Sequence, residues 1–206
     1  MLKNKRVLLI GAHPDDIEVM CGGTISKYRG KTETVSSVIF APCLEDPLNE
    51  GILEEYQASM KALEVEEVIN HNFPRDILEN SIQQIRDLLH AWKRSFNPDV
   101  IICPSINDLH QDHRAVASAC KTIFRDSATL LSGEIMRSTI HFTPNLYVAL
   151  SHEEMVAKLR LLNIYKTQTR RTYFTPEIVE AIARYRGCQV STLYAEAFEI
   201  WRMTDR

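Results

Sequence analysis

The sequence has no apolar run near the roughly 20 residues that cross a bilayer, no cysteine pair at metal-knuckle spacing, no glycine-rich phosphate loop and no concentration of basic residues. Each absence closes a class of function. Five cysteines (Cys21, Cys43, Cys103, Cys120 and Cys188) are an odd count without a CxxC. This argues against a disulfide framework or a cysteine zinc knuckle and fits a reducing, cytoplasmic setting. Cys103, in the apolar run DVIIC, and Cys120, within a helical pattern, are expected in the core. A net charge of −3, with Arg170 and Arg171 as the densest basic cluster, gives no reason to expect a nucleic-acid partner or an anionic membrane. No GxGxxG follows the first apolar run; acidic residues stand there instead and would repel a pyrophosphate. The basic start MLKNKR and the short run VLLI look like a secretory leader only superficially. The run leads within a few residues into charged groups, so a buried first strand is the expectation.

What is present is an alternation of short β-branched runs with longer helical patterns, as in a parallel α/β sheet, and residues 1–206 are most simply one domain. Strands are expected at 5–10, 34–40, within EEVIN, at Val100–Cys103, at 138–142 and at 146–150. Helices are expected at 17–29, 50–63, 79–96, 111–125, 152–164 and 176–186. Asn97-Pro98 breaks the helix before the apolar run from Val100. Chemistry in such a sheet sits in loops at the carboxyl ends of strands, and two unusual clusters fall there.

The first is VLLIGAHPDDIEVMCGG, where His13, Asp15 and Asp16 follow a buried strand directly. A solvated turn with Asp capping the next helix would account for one acid. It leaves the adjacent carboxylates beside a histidine unexplained, and a divalent cation compensates such repulsion far better than a helix terminus. The second is PSINDLHQDHRAV, with Asp108, His110, Asp112 and His113. His110 and His113 are three apart and would share a face at a helix start. Imidazoles and carboxylates together suit zinc, with iron, cobalt or manganese possible in the same site. Two histidines and one acid drawn from the two loops would leave a position open for water.

AHPDDIE followed by CGG, with HQDH later, resembles the LmbE-like, or PIG-L-like, deacetylases. RYRG at 184–187 and YAEAF at 194–198 extend the likeness towards the C-terminus. The resemblance implies a Rossmann-like three-layer α/β fold, with a mostly parallel sheet flanked by helices, and a single zinc. Carried over by position, His13, Asp16 and His113 would be the metal ligands. Asp15 would be the general base, and His110, if protonated, would stabilise a tetrahedral oxyanion and pass a proton to the leaving amine. Asp108 and Asp112 are expected behind these groups, orienting His110 or a ligand imidazole. Arg75, in NFPRD, is where the resemblance suggests a sugar contact, the alternative being a surface pair with Asp76. Glu18 is expected to be structural. Arg184 and Arg186 with Glu196 could form an ion network or a recognition edge. Trp92 and Trp201 are expected in core or interface.

The function implied is zinc-dependent removal of an N-acetyl group from a small-molecule amino-sugar conjugate, a GlcNAc-type glycoside, nucleotide sugar or thiol precursor, in the cytoplasm. Segments 41–55 and 126–137, with the Arg75 loop, would select the substrate. Relatives of this kind suggest a homo-oligomer. An amide or ester hydrolase acting on a non-sugar acyl group keeps the metal and changes the bond. A non-catalytic carbohydrate-binding protein would need neither Asp15 nor His110.

Overall fold

Val7, Leu8, Leu9 and Ile10 are all fully buried, so the first strand, β1 (Arg6–Gly11), has no solvent face. An uninterrupted apolar strand requires cover on both sides, which is the condition of a parallel sheet between helices. The computed structural model describes residues 1–204 and shows that arrangement. Six further strands are β2 (Thr34–Ile39), β3 (Glu67–Asn70), β4 (Val100–Pro104), β5 (Thr129–Gly133), β6 (Leu146–Leu150) and β7 (Tyr194–Arg202). They make one sheet in the order β3-β2-β1-β4-β5-β7-β6. β1 pairs in parallel with both β2 and β4, with Val7 opposite Val35 on one side and Val100 on the other. β7 runs antiparallel to β5 and β6.

Helices α1 (Asp16–Tyr28), α2 (Ile52–Ala62), α5 (His152–Leu162) and α6 (Pro176–Cys188) cover one face, where Val7 and Leu9 pack with Met20, Tyr56, Leu161 and Val179. Helices α3 (Ile82–Ser95) and α4 (Gln111–Ile123) cover the other, where Leu8 and Ile10 meet Leu89, Trp92, Val116 and Cys120. Fully burying one such aliphatic side chain stabilises the fold by about 1.5–3 kcal/mol. The chain winds from β1 towards β2 in one direction and from β4 towards β5 in the other. The strand order therefore reverses between β1 and β4, and a crevice opens beyond their carboxyl ends.

Three elements differ from the sequence expectation. No strand forms at 138–142; the backbone turns there, with Thr139 N–H donating to Ile135 O and Phe142 N–H to Thr139 O. The fifth strand lies earlier, at 129–133, inside the segment expected to vary with substrate. β7 was not anticipated, because YAEAFEIWR carries two glutamates on an otherwise apolar strand. Both are buried and fully engaged: Glu199 accepts from Ser105 Oγ (2.7 Å) and Thr143 N–H (3.0 Å).

Glu196 serves α1. That helix is broken at Cys21 (φ −147°, ψ 15°), which frees backbone groups on either side. Glu196 accepts the N–H groups of Gly23 (2.9 Å) and Thr24 (2.6 Å), while Lys158, ion-paired with Glu196, donates to Val19 O (2.7 Å). A buried ion pair thus closes the break. Arg184 pairs instead with Glu180 and Arg186 with Glu134, so these arginines do not form the network with Glu196 that their spacing suggested. The second turn of α1 touches the end of β5 through Met20: a Cβ on Gly133 would lie 2.5 Å from Met20 Cβ. Gly133→Ala is expected to push that turn off the sheet and lower stability by about 1–3 kcal/mol. The shift in the urea unfolding midpoint at unchanged m-value measures it.

Candidate functional site

The loop after β1 and the loop after β4 face each other across the point where the strand order reverses. In the first, the chain turns through Pro14 and Asp15, the latter in the left-handed conformation (φ 83°). Few residues other than Gly, Asn and Asp adopt that conformation readily. The turn folds Asp16 back, so that its Oδ2 accepts N–H from both Ala12 and His13 at 2.8 Å. Asp16 Oδ1 stands 3.3 Å from His113 Nε2. In the second loop His110 caps α4, its Nδ1 accepting from the Asp112 N–H at 3.2 Å.

The outer nitrogen of each facing imidazole meets a carboxylate. His13 Nε2 lies 3.0 Å from Asp112 Oδ2, and His113 Nδ1 lies 2.8 Å from Asp108 Oδ2. A carboxylate there accepts N–H, which places each neutral ring's proton on its outer nitrogen and leaves a lone pair on the inner one. The inner nitrogens, His13 Nδ1 and His113 Nε2, are 3.3 Å apart, and His13 Nδ1 is 3.7 Å from Asp16 Oδ2. Two imidazole ligands of a tetrahedral ion with bonds of 2.0–2.1 Å stand about 3.3 Å apart.

His13, Asp16 and His113 therefore form a group of lone-pair donors that can hold a metal ion. A second grouping, His13 with His110 and Asp112, is less suited. Asp112 has both oxygens engaged, Oδ2 by His13 and the Asp76 N–H (2.7 Å) and Oδ1 by the Leu78 N–H (3.0 Å).

The electrostatics agree with a cation position. Burial opposes charge on His113, yet Asp16 and Asp108 overcome it and push its pKa up to about 10. Burial likewise opposes charge on Asp16, yet His113, His13 and the loop N–H groups hold it well below the usual carboxylate range. Asp15 is the contrast: burial, and then the charge of Asp16, push its carboxyl well above that range. Burial, then the His113 and His13 charges, push His110 down to about 4. That direction favours the neutral His110 ring, whose proton then sits on Nε2 because Nδ1 accepts the Asp112 N–H. Its ring stacks on His113 with centroids 4.6 Å apart.

A cleft of about 410 Å³ opens over these groups. Arg75 lines it and pairs with Asp76 at 3.1 Å, the pairing that was one of the two alternatives for this arginine. Its loop is tied to the centre through Asp112, which accepts the Asp76 and Leu78 N–H groups. Glu18 lies away from the cleft, fully buried, and accepts from Tyr165 Oη at 2.6 Å. Sequence reasoning reached Arg137 only as the last residue of the 126–137 segment and missed Arg171, Tyr173 and Gln168; all four are in the cleft wall. Arg137 follows β5, so the strand-end rule that located the two clusters would have singled it out within that segment had the strand been recognised.

Comparisons with known proteins bear on the family and the fold. The family model described as PIG-L, GlcNAc-PI de-N-acetylase, matches residues 8–124. A protein of Escherichia coli (strain K12) described as the uncharacterized deacetylase YaiS is 28% identical over 176 residues, covering 80% of this chain and 92% of its own. The N,N'-diacetylchitobiose deacetylase of Pyrococcus horikoshii superposes with a TM-score of 0.79 at 20% identity, over 95% of this chain and 83% of its own. The conserved protein TT1542 of Thermus thermophilus gives 0.76 at 23% identity, over 100% and 97%. At these identities the two structural likenesses speak for the fold.

Proposed function

Because this chain belongs to the PIG-L family of de-N-acetylases, we propose that it hydrolyses the N-acetyl group of an amino-sugar conjugate, a GlcNAc-type glycoside or nucleotide sugar, to acetate and a free amine. The observation that carries this reading is the convergence of His13 Nδ1, His113 Nε2 and Asp16 on one point, with Asp15 and His110 at its edge. These three residues would hold a divalent ion, zinc in this reading, which when bound would supply Lewis-acid polarisation of an amide carbonyl and a water nucleophile near neutral pH.

The chain's own groups supply the rest. Asp15 takes a proton from the attacking water; its raised pKa is the direction a base needs, and a dication beside it acts in the opposite sense. His110, pinned through Nδ1 by the Asp112 N–H, presents Nε2–H to the oxygen on which negative charge develops. A neutral donor fixed in place stabilises that charge without prior protonation. The proton gained by Asp15 then passes to the departing nitrogen, which returns the carboxylate to its starting state. Asp108 and Asp112 hold the two ligand imidazoles in register.

Asp112→Asn is expected to weaken zinc binding by about 10–100-fold, the usual cost of losing a carboxylate behind a ligand histidine. Competition with a chromogenic chelator measures it. Acetate release from N-acetylglucosamine conjugates, run beside non-sugar amides and esters, tests the reaction itself. Release from the sugar conjugates alone is expected; cleavage confined to the non-sugar substrates would overturn the proposal.

A further inference from the structure

The cleft carries three arginines, and their partners differ. Arg75 is neutralised by Asp76. Arg170, next in sequence to Arg171, turns away to Asp46 (3.2 Å) and Leu48 O (3.0 Å). Arg137 and Arg171 line the cleft, and among the described residues neither has a carboxylate within ion-pair distance. Both rest on one aromatic ring: the Arg137 guanidinium is 5.1 Å and that of Arg171 6.0 Å from the Tyr173 centroid, and Arg171 Nη1 donates to Tyr173 Oη at 2.7 Å.

Two guanidiniums on one ring repel each other, and stacking does not remove their charge. Burial opposes the charge of Arg171, and Tyr173 and then Asp15 outweigh it, Asp15 without coming within ion-pair distance. With a dication at the cation position, the floor carboxylates Asp15, Asp16, Asp108 and Asp112 are directed at the ion and its imidazoles, and the two guanidiniums of the wall keep forked donors with no carboxylate of their own at ion-pair distance among the described residues. Each guanidinium presents forked N–H donors that match a carboxylate or phosphate, and Tyr173 holds Arg171 in place before a ligand arrives.

We propose that Arg137, Arg171 and Tyr173 form an anion subsite that receives a carboxylate or phosphate on the aglycone of the amino-sugar conjugate. The substrate class narrows from any GlcNAc conjugate to an anionic one. This inference rests on the deacetylase reading for the identity of the sugar, and on the unpaired arginines alone for the charge.

Binding of deacetylated ligands to the zinc-loaded protein tests it without turnover. Calorimetry would compare glucosamine 1-phosphate, the carboxymethyl glycoside of glucosamine and methyl glucosaminide. At least one anionic ligand is expected to bind about tenfold more tightly than the methyl glycoside, the scale of a few charge-assisted hydrogen bonds at a half-open site. The larger preference identifies phosphate or carboxylate. R137Q and R171Q should each reduce the preference, and the double variant should bring it within about twofold of unity. Equal affinity for all three ligands would overturn the proposal. So would a preference that survives the double variant, because the anion would then be seated on the metal. No acetyl group is present on these ligands, so a failure of N-acetyl hydrolysis would register in the acetate assay and not here.

Discussion

Asp15→Asn is expected to lower turnover by about 10²–10⁴-fold, the usual contribution of a general base, while the protein keeps its metal. Asparagine has nearly the shape of aspartate and tolerates the left-handed backbone that position 15 requires, so the loop should keep its path. Alanine would add backbone strain and confuse the result. Asp15 is not among the converging donors His13, Asp16 and His113, so zinc content should stay at the wild-type level. Burial and the Asp16 charge both disfavour ionised Asp15, so the metal-free variant should be no less stable than the metal-free parent. Turnover at the wild-type rate would remove Asp15 from the mechanism. Loss of zinc together with turnover would make it a ligand instead.

Removing the metal should have the largest effect on stability. An ion that binds only the folded chain stabilises it by about 4 kcal/mol when present at 1,000 times its dissociation constant. At about 2–4 °C per kcal/mol for a chain of this size, chelation should lower Tm by about 8–16 °C. The cause is local. Asp15 and Asp16 are adjacent carboxylates, and without a cation their repulsion is met by the imidazoles, the loop N–H groups and the more distant Arg171. Hydrogen exchange should therefore speed up first at the Ala12 and His13 amides, which donate to Asp16. A Tm indifferent to chelation, in protein shown to have lost its zinc, would reduce the donor group to an ordinary hydrogen-bonded cluster.

Both halves of the site were legible in the sequence because each follows an uninterrupted apolar strand, and charge placed directly after such a strand has few structural uses. The pairing behind them was not. Asp108 and Asp112 are equivalent by spacing, and only the docking of the two loops sends Asp108 to His113 and Asp112 to His13. β7 was hidden because Glu196 and Glu199 interrupt its apolar pattern; their partners lie on α1, α5 and the loop after β4, far away in sequence. Arg170 and Arg171 are indistinguishable as letters, and tertiary packing alone turns one outward and one into the cleft. The lowered pKa of His110 belongs to the same class: it follows from burial and then from neighbouring imidazoles that no spacing reveals.

Titration of zinc into chelated protein, with acetate release from an N-acetylglucosamine conjugate as the readout, tests the central claim most directly. Activity should rise from near zero, saturate at one equivalent of zinc per chain, and stay absent in His113→Ala at that stoichiometry. Full-rate acetate release from the chelated protein, or no acetate from any such conjugate with one equivalent bound, would contradict the account.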